Sequence, residues 1–79
     1  MDKNEILAKL QIIFRDVLDN ENINISFDSC ADDYDEWDSL AHVQLVAEIQ
    51  KTMKIKFSAS EMISWDTIGD MCETIQSKL

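Results

Sequence analysis

Three stretches of this chain place apolar residues at helical spacing, and no proline and only one glycine interrupt them. Residues 5 to 18 put Ile6, Leu7, Leu10, Ile13, Phe14, Val17 and Leu18 on one stripe, which predicts an amphipathic helix. Residues 39 to 53 do the same with Leu40, Val43, Val46, Ile49 and Met53, with Leu45 beside them. A last helix is predicted from Asp66-Thr67 through Ile68, Met71, Cys72, Ile75 and Leu79. Strand-like alternation occurs only in Lys54-Ile55-Lys56-Phe57, too short to argue a strand, so these residues read as an extended connector. The chain is therefore expected to fold as an all-α bundle.

The boundaries follow from capping chemistry. Asp2 and Glu5, three residues apart, suit a capping box at the first helix, and Asn20-Glu21-Asn22 suits its end because asparagine favours turns. Asp38 or Ser39 can cap the second helix. Ser58 or Ser60 can cap a short helical turn through Glu61, Met62 and Ile63, and Thr67 with Asp70 forms another cap pattern. Gly69 weakens the last helix by about 1 kcal/mol relative to alanine. Residues 21 to 38 form a long connection for so small a chain. Ile23, Ile25, Phe27, Tyr34 and Trp37 interleave with its acids, so it is expected to pack, with Trp37 as the anchor.

At 79 residues the chain makes one domain, 1–79, near the lower limit for a core without covalent staples. Cys30 and Cys72 form no CxxC pair or Cys/His cluster, which suits a reduced, cytoplasmic setting, with Cys72 acting as a small hydrophobe. The first residues show no signal-peptide pattern, and no apolar run reaches membrane-spanning length. The net charge of −9 argues against nucleic-acid binding, which needs a basic footprint. Between Arg15 and Lys51 there is no Lys or Arg, yet ten of the sixteen acids lie there. A packed acidic surface of this kind suits basic protein partners.

Where the acidic loop meets the second helix stands Asp38-Ser39-Leu40. A serine there is usually only a cap. Ser39 and His42 are spaced as a nucleophile and base, but no third group orients the histidine and no GxSxG turn is present, so His42 reads as a surface histidine partly packed on the core. The acids Asp28, Asp32, Asp33, Asp35 and Glu36 fail an EF-hand count, since Asp33 falls where glycine is needed and Ser39 where the bidentate glutamate belongs. No metal site is expected. Asp35, Glu36 and Asp38 would repel a free phosphate ligand from Ser39, whereas a covalent phosphodiester would be held regardless.

Triplet, spacing, length and charge together resemble the acyl carrier protein family over nearly the whole chain. Ser39 through Val46 is similar to the carrier second helix, Ile55-Lys56-Phe57 with Glu61 to the approach to the short third helix, and Asp66 through Met71 to the start of the last. The resemblance implies a carrier bundle of three main helices and one short one, with the long loop between helices one and two. It implies 4′-phosphopantetheine, derived from coenzyme A, on Ser39, with acyl groups borne as thioesters and no catalysis by the chain itself. It also implies a phosphopantetheinyl transferase and acyl-loading, acyl-transfer or condensing enzymes as partners, with the carrier free-standing and monomeric. The concentration of charge before Ser39 predicts that their basic docking patches meet Asp35, Glu36, Asp38, Leu40 and Glu48. By the same resemblance, Val43, Leu45, Val46, Ile49, Ile63, Ile68, Met71 and Ile75 are expected to line the interior that shelters an acyl chain. Two features depart from carriers of fatty-acid synthesis: Trp37 precedes the motif, and the second helix shows Gln44, Gln50 and Lys51, with Glu48 its only acid. They imply a dedicated acyl-transfer or biosynthetic pathway. An aminoacyl or peptidyl carrier, or an unmodified acidic interaction module, are the alternatives.

Overall fold

In a computed structural model describing residues 1–79, the chain forms α1 (Lys3–Val17), a 3-10 turn (Ala31–Asp33), α2 (Ser39–Met53), α3 (Ala59–Ser64) and α4 (Ile68–Lys78). Helix α1 packs against both α2 and α4. Its Ile6, Leu10 and Phe14 meet Leu45 and Ile49 of α2 and Ile68, Met71, Cys72 and Ile75 of α4 in one core, all essentially without exposure. Each such side chain stabilises the fold by about 1.5–3 kcal/mol relative to exposure.

The all-α expectation holds, and the helix ends explain why. Asp2 accepts from the Glu5 amide, although Glu5 returns no bond, so the cap forms without the full box. Helix α1 closes on Asp19 rather than on Asn20. Asp19 takes the left-handed conformation (φ 52°), and the Asn20 amide reaches back to the Arg15 carbonyl at 3.0 Å. Lys54 (φ 58°) ends α2 in the same way, with the Ile55 amide on the Gln50 carbonyl. Ser58, not Ser60, caps α3 in a reciprocal box with Glu61. Residues 54 to 57 are an extended connector, as expected.

Two interior assignments fail. Val43 is 65% exposed and Ile63 85%. The row Leu40–Val43–Val46–Ile49 advances three residues per step and so drifts about 60° each time, leaving its ends on opposite sides of the helix. The buried row of α2 is Ala41, Leu45, Val46, Ile49 and Met53. Helix α3 has six residues and buries none of them fully, too short to present a stripe to the core.

The long loop is packed. Ile23, Ile25 and Trp37 join the core, and Trp37 meets Phe14 edge-on with ring centroids 5.0 Å apart. Polar ties accompany the apolar ones. Gln11 and Arg15 of α1 both donate to the Ile23 carbonyl, and the Ile25 amide donates to Gln11 Oε1 at 2.7 Å. Tyr34 Oη donates to the Asn24 carbonyl at 2.7 Å. At its far side the loop supplies carbonyls to the open end of α4: Ile68 N–H donates to Ser29 O and Gly69 N–H to Phe27 O, both at 2.8 Å. A helix start leaves such amides unpaired. Here the loop, together with the Thr67–Asp70 capping box, satisfies them.

Candidate functional site

The loop delivers the chain to α2 with a defined division of labour between two neighbours. Asp38 is the cap, its carboxylate accepting from the Ala41 amide at 2.8 Å while its carbonyl accepts from His42 N–H at 2.9 Å. Ser39, the first helical residue, is exposed, and its hydroxyl is drawn into no hydrogen bond within the protein. The sequence left open which of the two caps the helix. Because Asp38 does, the serine oxygen is left for chemistry.

Ser39 opens onto a cleft of about 450 Å³ lined by Ala31, Trp37, Asp38, Ser39 and His42. A narrower cleft of about 80 Å³ adjoins it, sharing Ala31, Trp37 and His42 and continuing to Trp65, Asp66, Thr67 and Met71. The wall between them is aromatic: the Trp37 and His42 rings lie side by side, with centroids 6.0 Å and planes 21° apart, and His42 meets Trp65 edge-on at 6.3 Å. Trp65 is fixed in turn by the edge of Phe57 and by donation from its Nε1–H to Thr74 Oγ1 at 2.9 Å.

His42 is oriented after all, which corrects the sequence reading. Trp37 Nε1–H donates to His42 Nδ1 at 3.1 Å. Trp37 and His42 stand just before the cap and four positions beyond it, the places where a hydrophobic staple fixes a helix entry, and that spacing was the signal available in the sequence. An indole nitrogen only donates, so Nδ1 must present its lone pair and the neutral ring carries its proton on Nε2. A ring so arranged has no free lone pair with which to take a proton from Ser39. Burial also holds the His42 pKa below its ordinary value of 6.5. The nucleophile–base arrangement is excluded by this tautomer.

The remaining candidates divide by position. Leu40 is 68% exposed, and Val43, one turn on, continues an apolar strip on the surface of α2. Asp35 is exposed in the loop. Glu36 is exposed too but tied back, accepting from Asn20 Nδ2 at 2.7 Å, a bond that lowers its pKa. Glu48 is nine residues from Ser39 on one helix, which places it on the opposite side. It lines a groove with Lys9, Ile12, Ile13, Asp16 and Thr52, and the structure does not bring it to the Ser39 face.

A free, exposed serine hydroxyl at the head of a helix, opening onto a cleft and flanked by carboxylates, suits a covalently held phosphodiester better than a bound anion. The family pattern described as "Phosphopantetheine attachment site" matches residues 8–75. The solution structure of a holo acyl carrier protein from Geobacter metallireducens is 35% identical, covering 91% of this chain and 83% of that one with a TM-score of 0.86. No curated protein matches the chain at a significant level. The chain belongs to the phosphopantetheine-binding acyl carrier proteins. Its prosthetic group is 4′-phosphopantetheine, and it is a carrier rather than an enzyme. Such carriers work with a phosphopantetheinyl transferase and with acyl-handling enzymes.

Proposed function

We propose that Ser39 is the attachment point of the prosthetic group and that the chain, as one carrier domain, presents acyl groups to the enzymes of a dedicated biosynthetic or acyl-transfer pathway in the cytoplasm, acting as a monomer. The observation that carries the assignment is the spent cap: Asp38 satisfies the Ala41 amide, leaving the exposed Ser39 hydroxyl free at the mouth of a cleft. When bound, the group supplies a terminal thiol that holds cargo as a thioester. Of this chain's residues, Asp38 fixes the turn that presents Ser39, and Trp37 and His42 form the cleft wall beside it. Asp35, Glu36 and Leu40, all exposed around the motif, form the face that partner enzymes meet with a basic patch. No helix is long and apolar enough to cross a membrane.

The dedicated pathway is supported by the surface of α2, where Gln44 and Lys51 stand exposed and Glu48 faces away from Ser39. Coenzyme A and a broad-specificity phosphopantetheinyl transferase should add one arm to the wild type and none to Ser39→Ala, read by intact mass. Addition to the alanine variant would overturn the site. Holo protein should be a poor substrate for a generic fatty-acid ketosynthase, and efficient turnover there would overturn the dedicated role.

A further inference from the structure

Five residues line the cleft at Ser39, and their hydrogen-bonding capacities are nearly all committed. Ala31 has no polar side chain, and Asp38 is an acceptor engaged with the Ala41 amide. The one N–H of Trp37 is spent on His42. Ser39 contributes the oxygen that an attached group would esterify. What remains is His42 Nε2–H, which has no partner within the protein and is not sealed from solvent. Ser39 and His42 are three residues apart on α2, so they are neighbours on its surface, with Cβ atoms about 5–6 Å apart in such pairs.

We infer that His42 is a positioning residue for the attached group: clamped by Trp37 with its proton on Nε2, it donates to an anionic oxygen of the phosphodiester at Ser39. This rests on Ser39 being the attachment point. The clamp matters because a freely turning imidazole would present either nitrogen, whereas this one keeps its donor at Nε2 whenever it is neutral, on a ring that lines the cleft. Other charged groups on the surrounding elements work against the anion. Asp38 heads α2, Asp32 and Asp33 follow Ala31 on the 3-10 turn, and Asp66 lines the narrower cleft from the α3–α4 connection. His42 is thus the one side chain here that offsets them.

A consequence separates this role from packing. An anion one turn away favours the imidazolium, so attachment should raise the His42 pKa by about half a unit or more, the Coulomb effect expected across about 6 Å in a water-like medium. Protonation also puts a hydrogen on Nδ1, facing the indole N–H, so the Trp37 bond must break as His42 charges. Apo and enzymatically converted holo protein should be titrated from pH 4 to 8 by NMR, following the His42 ring, the Trp37 indole N–H and the phosphorus of the diester. A diester does not itself ionise in this range. The inference expects a higher His42 pKa in the holo form. It also expects a phosphorus shift that titrates with that same pKa in wild type and becomes flat in His42→Gln. A flat phosphorus signal in the wild type, or equal His42 pKa values in the two forms, would overturn it while leaving the attachment site intact. Failure of the transferase to add any arm would overturn the attachment assignment and this inference with it.

Discussion

The backbone N–H of Gly69 donates to the carbonyl of Phe27 at 2.8 Å, and a Cβ on residue 69 would stand 2.9 Å from that same oxygen. The obstruction is backbone and cannot swing aside. In the sequence this glycine reads as a weak point of the last helix. In the fold it is the place where the long loop lies directly on the first turn of α4.

Gly69→Ala therefore sets two effects against each other. Helix propensity favours alanine by about 1 kcal/mol. Against it stand the clash and two loop-to-helix bonds, Gly69 N–H to Phe27 O and Ile68 N–H to Ser29 O, which must lengthen together as the loop lifts. A hydrogen bond contributes about 0.5–1.5 kcal/mol net, and an amide left buried without a partner costs about 1–3. The variant should melt several degrees lower despite its better helix former, since 1 kcal/mol corresponds to about 4–8 °C in a domain of this size. An unchanged or raised Tm would show that the loop yields freely.

Adjacent residues should divide stability from modification. Asp38→Ala removes the cap on the Ala41 amide and should cost about 0.5–2 kcal/mol in denaturant unfolding. Ser39→Ala removes a hydroxyl bonded to nothing and should leave the midpoint unchanged while abolishing arm addition. Equal destabilisation by the two substitutions would mean that Ser39 shares the cap.

Acid and base should each weaken the fold, with His42 contributing on the acid side and Cys72 on the basic side. His42 has its pKa lowered by burial, so the unfolded chain binds its proton first; the contribution is complete above the ordinary value of 6.5 and is lost as pH falls below it. Cys72 is the opposite case. Burial raises its thiol from 9.0 to about 11, so the folded state retains the proton, and stability is full below pH 9.0 and declines as pH rises through that interval. Thiol alkylation at pH 8 should accordingly label partly exposed Cys30 and spare Cys72 until the protein unfolds. Labelling of both at equal rates would contradict the burial of Cys72.

Docking should separate into charge and contact. Asp35→Asn with Glu36→Gln removes two exposed charges while leaving residue 36 an oxygen for the Asn20 amide. With a cognate acyl-handling enzyme, association should slow at low ionic strength and its salt dependence should flatten. Leu40→Ala should raise the dissociation rate instead, because a 68% exposed apolar side chain acts by being covered. Glu48→Gln should change neither, since it lies on the far side of α2. A rate effect at Glu48 as large as at the loop acids would move the docking face.

Local sequence determined a good deal of this protein. Helix existence and most helix starts follow from apolar spacing and from Asp2, Ser58 and Thr67, because caps and amphipathic stripes are set by residues within a turn or two of each other. The motif proposed for attachment, Asp38-Ser39-Leu40, is local as well and so is legible in the sequence. Tertiary structure decided the rest. Which row of α2 faces inward depends on where α1 lies, so Leu45 and Ile49 are buried while Val43 is not. Whether Asp38 or Ser39 caps the helix, and which nitrogen of His42 carries the proton, depends on the entry path that Trp37 imposes by packing on Phe14. The need for glycine at position 69 arises only when Phe27, forty-two residues earlier, is laid against it. Spacing along the chain registers neighbours on one helix. It carries no record of which backbone oxygen will arrive from elsewhere, and such arrivals determine what this site can do.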